Sequence, residues 1–250
     1  MSDSTKATVI GAAPEGASDP ASAALAVREM FSSIAPRYDL LNHLLSFNVD
    51  RLWWRKTARS FASILKRQDA RVLDLCCGTG DMTFALFREA GKSATILGVD
   101  FSHAMLRRAN EKSAEKSLRW VEADALHLPF PDQQFDLITA AFGFRNLADY
   151  DAGLREMVRM LRPGGECGIL DFGEPRGLIG KLYRVYFKRI LPAVGTVVSG
   201  VKGPYVYLPA SVERFPSPEE MLRRMRRAGF REASWAPYTF GIAGLYRGKK

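Results

Sequence analysis

A chain of 250 residues, 47% hydrophobic and 25% charged, suits one α/β domain with additions and can bury a substantial core. No apolar run approaches the ~20 residues of a membrane span. The three cysteines, Cys76, Cys77 and Cys167, argue against a disulfide framework, offer no CxxC or Cys/His zinc spacing, and fit a reducing, cytoplasmic setting with no metal. A net charge of +9 favours an anionic partner: nucleic acid, a membrane surface or an acidic ligand.

Residues 1–26, rich in Ala, Ser, Gly and Pro, read as a disordered tail and lack the basic-then-apolar order of a secretory signal. Residues 27–63 read as helical, interrupted at Pro36 and at "SFN", so that 27–66 forms a helical cover ahead of a domain over 67–250. From Arg71 strands and helices alternate. "RVLDLC", "ATILGVD", "LRWVEAD", "FDLITAAF" and "ECGILDFG" read as strands. Between them stand the helical "MTFALFREA", "SHAMLRRANEKSAEK" with Ser102 as N-cap, and "YDAGLREMVRML" closed by "RPGG". This order predicts an α/β fold with a doubly wound parallel sheet.

After Gly180 the alternation stops, and 176–216 is set apart as a substrate- or membrane-facing insertion. "SPEEMLRRMRRAGF" carries Ser217 as N-cap, Pro218 at the first position, Glu220 to complete a capping box, and Gly229 as the stop. "REASWAPYTFGIAGLYRGKK" predicts two strands, an antiparallel pair at the end of the sheet.

In such sheets ligands sit beyond the carboxyl ends of the strands. There the chain places Gly78-Thr79-Gly80, Asp100, Asp124, "FGFRN" and "FGEP". Gly78 and Gly80 match two glycines of the dinucleotide fingerprint, but Thr83 stands at the third position. There is no P-loop GK[S/T], and Asp74 and Asp81 flank the loop with negative charge. That is poor company for a phosphate and good company for a cation. Asp100 lies at the distance expected of an acid that accepts hydrogen bonds from a ribose, and Asp124-Ala125 is placed to meet an adenine edge. S-adenosylmethionine (SAM) offers an adenosine, a sulfonium and an ammonium. A nicotinamide dinucleotide is the competing ligand, opposed by the missing glycine and the acidic loop. The thiols beside the loop read as small buried apolar groups.

Basic residues gather in 180–207 and in "RRMRRAGFR". The first group is mixed with Tyr, Phe, Ile, Leu and Val. That blend suits a bilayer interface and equally a solvated helix face over the core. No nucleic-acid module accompanies the charge, so no nucleic-acid partner is expected.

The segments "FSSIAPRYDLLNHLLSFNVDRLWWR", "VLDLCCGTGD", "DALHLPFPDQQFD", "FGFRN", "LRPGG", "YVYLPASVERFP" and "TFGIAGLYRGKK" together resemble the ubiquinone/menaquinone biosynthesis C-methyltransferases, within the class I SAM-dependent methyltransferases. The resemblance covers 27–250. It implies a Rossmann-like seven-stranded sheet, parallel with one antiparallel strand, and SAM as cofactor. Gly78, Thr79 and Gly80 would lie against the methionine portion and Asp100 would hold the ribose. Asp124 and Ala125 would frame the adenine, and Tyr38 would help close the N-terminal helices over the cofactor. The implied reaction is C-methylation of a polyprenylated hydroquinone, first of all demethylmenaquinol to menaquinol. The ubiquinone-pathway counterpart, or another phenolic or lipid acceptor, is the alternative.

Arg145 is the first candidate to act on the substrate oxygen, by stabilising a phenolate while a bound water carries the proton, with a structural ion pair as its other reading. Asn146 would orient that group. His43 is a candidate general base, with capping or packing as its equal. His103 reads as peripheral, and His127, in "ALHLPF", as packed. Cys76 stands where methyltransferases in general have Gly, Ala141 where many relatives have Ser and Asn48 where Gly is common, and Phe240 and Tyr246 depart from a frequent Gly and His. An isoprenoid substrate implies transient, peripheral contact with the inner face of the plasma membrane. A homodimer is left open.

Overall fold

The computed structural model describes residues 11, 12, 14, 16–39, 43, 46, 48–113, 118–175, 177, 180, 183, 185, 186 and 203–250. Strand β1 (Ala70–Leu75) is buried at every position but Arg71, as a central strand covered on both faces must be. Around it lie β2 (Ala94–Asp100), β3 (Arg119–Glu122), β4 (Phe135–Ala141), β5 (Leu161–Phe172), β6 (Glu232–Tyr238) and β7 (Ala243–Lys249), in the order β3-β2-β1-β4-β5-β7-β6. β1 to β5 pair in parallel, and β7 runs antiparallel to both β5 and β6. The expected doubly wound sheet with one reversed strand is the observed one. Its direction of winding switches at β1, so a crevice opens where β1 and β4 end side by side.

Alternate residues of β1 serve two cores. Leu73 and Leu75 pack with Tyr150, Leu154 and Met157 of α6 (Tyr150–Met160) and Met221 and Met225 of α8 (Pro218–Ala228). Val72 packs with residues of α2 (Val49–Ser60), α3 (Ala62–Leu65) and α4 (Asp81–Ala90). Helix α1 (Pro20–Ile34), α5 (His103–Lys112), α7 (Gly203–Arg214) and three 3-10 turns (Ala35–Arg37, Phe144–Asn146 and Thr239–Gly241) complete the described helices.

Four details differ from expectation or refine it. Helix α1 begins at Pro20, inside the stretch expected to be disordered through 26. Asp19 accepts hydrogen bonds from the Ala21 and Ser22 amides, Ser22 returns one to the cap, and Pro20 pre-sets the first turn. The "RPGG" stop does end α6 at Met160, but β5 starts at once. Leu161 pairs with Phe135, and the register slips before Glu166 pairs with Leu137. Ser217 caps α8 through the Glu220 amide, while the Glu220 carboxylate binds Arg223, Arg224 and Arg227 instead of closing a capping box. Asn48 enters α2 at φ 59, the left-handed conformation its side chain tolerates. The basic segment 180–207 lies mostly outside the described residues, so its predicted face does too.

The ends of β1 and β4 meet with little room. Cys76 takes φ 53, and a Cβ on Gly143 would sit 2.3 Å from the Cys76 Cβ. Gly143→Ala is therefore expected to destabilise the fold by ~1–3 kcal/mol through overpacking. Adding Cys76→Gly should return most of that loss, because glycine removes the opposing Cβ and suits the left-handed backbone. Urea unfolding of the two singles and the double checks this; two additive losses would refute it.

Candidate active site

The glycine loop is built backwards from an acid. Asp100, at the end of β2, accepts from the Gly78 amide at 2.8 Å through Oδ2 and from the Ser102 amide at 2.9 Å through Oδ1. Gly78 is held at φ 55, and the space a Cβ would fill there is open. Gly80, at φ 88, starts α4, and a Cβ on it would meet the Trp120 ring at 2.7 Å. One glycine thus leaves room on the ligand side, and the other admits an indole behind the loop.

Asp74 is fully buried and accepts hydroxyl bonds from Thr83 at 2.5 Å and Thr139 at 2.8 Å. Thr83, which the fingerprint marks only as a missing glycine, is the residue that holds this acid. Burial is the largest influence on both carboxyls and pushes Asp74 up to about 7 and Asp100 up to about 6. Burial also raises Asp81, against the opposing pull of Lys112.

A cavity of about 360 Å³ lies over this loop, the size of a small-molecule site. Asp50, Asp74, Asp81, Asp100 and Asp124 line it, with Arg145 as the one cation among the described residues of its wall. Its other end is aromatic: Trp53, Phe142, Phe172, Tyr183, Tyr186 and Tyr207. Phe142 and Phe172 stand 4.6 Å apart, centroid to centroid, and Trp53 lies 5.8 Å from Phe142.

Of the predicted site residues, Gly78, Thr79, Asp100, Asp124, Ala125, Tyr38, Arg145 and Asn146 all line this cavity. Gly80 supports the loop from outside the lining. His43 is also outside it: its Nδ1 lies 2.9 Å from Oδ2 of Asp50, which does face the cavity, and its ring meets Trp54 edge-on. His127 is not packed as its neighbours suggested; its side chain is 83% exposed and pairs with Asp124 at 3.3 Å. His103 is peripheral as expected, paired with Glu122 at 3.1 Å.

Arg145 is buried and tightly held. Nη1 bonds Asp171 Oδ1 at 3.0 Å and the Phe142 carbonyl, Nε donates to Ser211 Oγ at 3.3 Å, and the Arg145 amide donates to Asp171 Oδ2 at 3.0 Å. The ion pair weighed as its other reading is present, and the residue still borders the cavity. Asn146 accepts from the Tyr207 hydroxyl at 3.1 Å. Burial pushes Tyr207 up to about 12, so its phenol remains a donor. Ser211 and Tyr207 belong to α7, so the Tyr-rich late segment closes on "FGFRN".

Sequence reasoning missed Asp171, whose only signal was an acid ending the fifth strand. It also missed a cluster that fastens the N-terminal cover. Thr79 Oγ1 donates to Asp39 at 2.5 Å, and Lys112 Nζ bonds Asp39 at 2.8 Å, Asp81 at 2.9 Å and Thr79 at 3.2 Å.

Buried carboxylates with room beside Gly78 fit a cationic nucleoside better than a phosphate. On the sheet order observed, this defines a SAM-dependent methyltransferase, with SAM as its cofactor. A Thermotoga maritima SAM-dependent methyltransferase shares the fold at TM-score 0.63 and 18% identity, with 90% of this chain and 99% of that one covered. The model of the ubiE/COQ5 methyltransferase family matches residues 19–250, and the chain belongs to that family. It is 50% identical to the demethylmenaquinone methyltransferase of Deinococcus radiodurans over 90% of this chain and 92% of that protein. It is 44% identical to the ubiquinone/menaquinone biosynthesis C-methyltransferase UbiE of Geobacter sulfurreducens, over 90% and 88%.

Asp74 tests the electrostatic match. Its carboxyl sits at about 7 in the fold against an ordinary 3.8, so its contribution to stability is full below about 3.8 and is lost as pH rises through about 7. Asp74→Asn should leave the ligand-free melting temperature at pH 8 unchanged or higher and weaken SAM binding ~10-fold or more, as loss of one well-placed charge would. In the wild-type chain SAM affinity should fall as pH drops through about 7, where Asp74 takes up a proton, and again through about 6, where Asp100 does. Calorimetric titration across pH 5–8 reads both; equal SAM affinity in Asp74→Asn would refute the match.

Proposed function

We propose that this enzyme methylates a ring carbon of a polyprenylated hydroquinone, with demethylmenaquinol as the first acceptor and the ubiquinone-pathway quinol as the alternative. The observation that carries the proposal is the cavity's division into an acidic end at Gly78 and an aromatic end at Phe142, with Arg145 and Asn146 in its wall. The names of the Deinococcus and Geobacter relatives support the same acceptor class.

SAM supplies an electrophilic methyl group on a sulfonium. Asp100 would hold the ribose hydroxyls, Asp124 and Ala125 would border the adenine, and Thr79 with the Gly78 backbone would face the methionine portion. Tyr38 covers them from the N-terminal side. The flat aromatic surfaces of Trp53, Phe142 and Phe172 suit a quinol ring. A phenol near ~10 is seldom ionised in neutral water, so the site must favour its anion. Arg145 does so electrostatically, aimed by its bonds to Asp171 and the Phe142 carbonyl. His43 stands behind Asp50, so its part in proton transfer passes through that carboxylate. Alignment of the two bound reactants supplies much of the remaining acceleration.

An isoprenoid tail resides in the bilayer. Among the described residues no helix is long and apolar enough to cross a membrane, so a peripheral visit to the inner face of the plasma membrane is the proposed location.

Incubation with SAM and each demethylated quinol, followed by mass spectrometry of the lipid extract, tests the acceptor. A methylated naphthoquinol is expected, and no methyl gain in either class would refute the proposal. Arg145→Lys keeps the charge but loses the rigid guanidinium whose Nη1 bonds Asp171 and Phe142 while Nε bonds Ser211. It should lower kcat ~10²–10³-fold and leave SAM affinity unchanged.

A further inference from the structure

Among the described residues the large apolar side chains left exposed are Leu25, Leu52, Val185 and Phe240. Single exposed apolar residues are ordinary, but these are not placed at random. Each is the chain neighbour of a cavity-lining residue: Ala24, Trp53, Tyr186 and Thr239, respectively. Adjacent Cα atoms are ~3.8 Å apart, so the backbone at all four runs beside the wall of one cavity.

Phe240 is the extreme case. It is 77% exposed, and its φ of 58 is a left-handed conformation that bulky residues rarely adopt. Thr239 before it is also left-handed, at φ 45. The backbone is bent to hold a phenyl ring out in water. This turn is braced against α2: Trp53 Nε1 donates to Thr239 Oγ1 at 2.8 Å, and Lys56 Nζ lies 4.1 Å over the Tyr238 ring. The outward side of α2 carries Leu52, Arg55 and Lys56 at i, i+3, i+4 spacing, with Arg51 beside them. Among the described residues the side chains of Arg51, Arg55 and Lys56 have no carboxylate partner.

We propose that Phe240 and Leu52, flanked by these cations, insert into the headgroup layer of an anionic phospholipid bilayer and set the cavity mouth against it. The inference rests on the polyprenylated acceptor proposed above. An apolar tail held in the bilayer needs an apolar route to the cavity, and the exposed side chains sit on the segments that line it. Apolar groups that enter the interface, with cations left to meet anionic headgroups, are the two contributions that hold a peripheral protein on such a surface.

Vesicle sedimentation tests this, with phosphatidylcholine alone and with added phosphatidylglycerol, at low and high salt. Asparagine tolerates the left-handed backbone, so Phe240→Asn preserves the turn, and Phe240→Trp preserves insertion. The wild-type chain should bind the anionic vesicles and Phe240→Asn ~10-fold less, with Phe240→Trp near wild type. The triple variant Arg51→Ala, Arg55→Ala, Lys56→Ala should lose the salt-sensitive part. Turnover of a short-tailed, water-soluble quinol should be equal in all, while turnover of a long-tailed quinol in vesicles should fall with binding. Absent vesicle binding by the wild-type chain, or undiminished binding by Phe240→Asn, would overturn the docking tip. Failure of the wild-type chain to turn over the short-tailed quinol would overturn the proposed reaction instead, whatever the vesicles show.

Discussion

Negative charge withdrawn from water at the carboxyl edge of the sheet is the constraint to which the rest of the structure is fitted. Asp74 is wholly buried and Asp100 nearly so, and neither is paired with a cation among the described residues. Backbone amides hold one and threonine hydroxyls the other, which is enough to keep them placed but not enough to cancel the cost of burial. Hence both carboxyls are pushed up towards neutrality. A cationic ligand is what such a site lacks, and its binding restores the charge the fold disfavours. The loop conformation follows from the same acids. The Gly78 amide turns to Asp100 with left-handed backbone at Cys76 and Gly78, and the Cys76 Cβ in that turn leaves room only for a glycine at 143.

Among the described residues the cations near the site already hold carboxylate partners. Lys112 is shared by Asp39 and Asp81, and Arg145 is matched by Asp171. The interior therefore stays acidic at one end, while the aromatic end keeps the Arg145 guanidinium in its wall. This division also explains the N-terminal cover. Asp39 follows directly on Tyr38, and its bonds to Thr79 and Lys112 fasten the chain beyond α1 onto the glycine loop. The cover is held by the residues that would contact the methionine portion, so closure and cofactor binding draw on the same few groups.

The parallel core, its switch point and the line of glycines and acids were legible in the sequence. Each follows from local patterning: apolar runs, turn residues and the acid that ends a strand. What was not legible depends on contacts between distant segments. Nothing local to Thr83 says that its hydroxyl will hold Asp74, and nothing local to Asp171 says that it will face Arg145, 26 residues away. His43 looked like a base because of its chemistry, but the fold puts Asp50 between it and the cavity. His127 looked packed because of apolar neighbours, yet those residues form a turn on Asp124 that turns the imidazole outward. The helix at Pro20 had a local signal, Asp19 with Ser22, masked by a composition that reads as disorder.

Phe142 joins the two ends of the site. It directly follows the last residue of β4 and keeps one sheet bond, its amide to the Leu170 carbonyl at 2.7 Å, with φ 56. For a phenylalanine that conformation costs on the order of 1–3 kcal/mol and persists only where its surroundings enforce it. Here they do: its carbonyl accepts from Arg145 Nη1 and, at 3.5 Å, from Asn146 Nδ2, while its ring is set against Trp53 and Phe172. A relaxed backbone would turn the carbonyl away from the guanidinium and the ring away from the aromatic wall in a single motion. The strain thus fixes the group that would stabilise the acceptor's oxygen and the surface that would carry its ring relative to each other. Those two placements cannot be altered separately without rebuilding the end of β4.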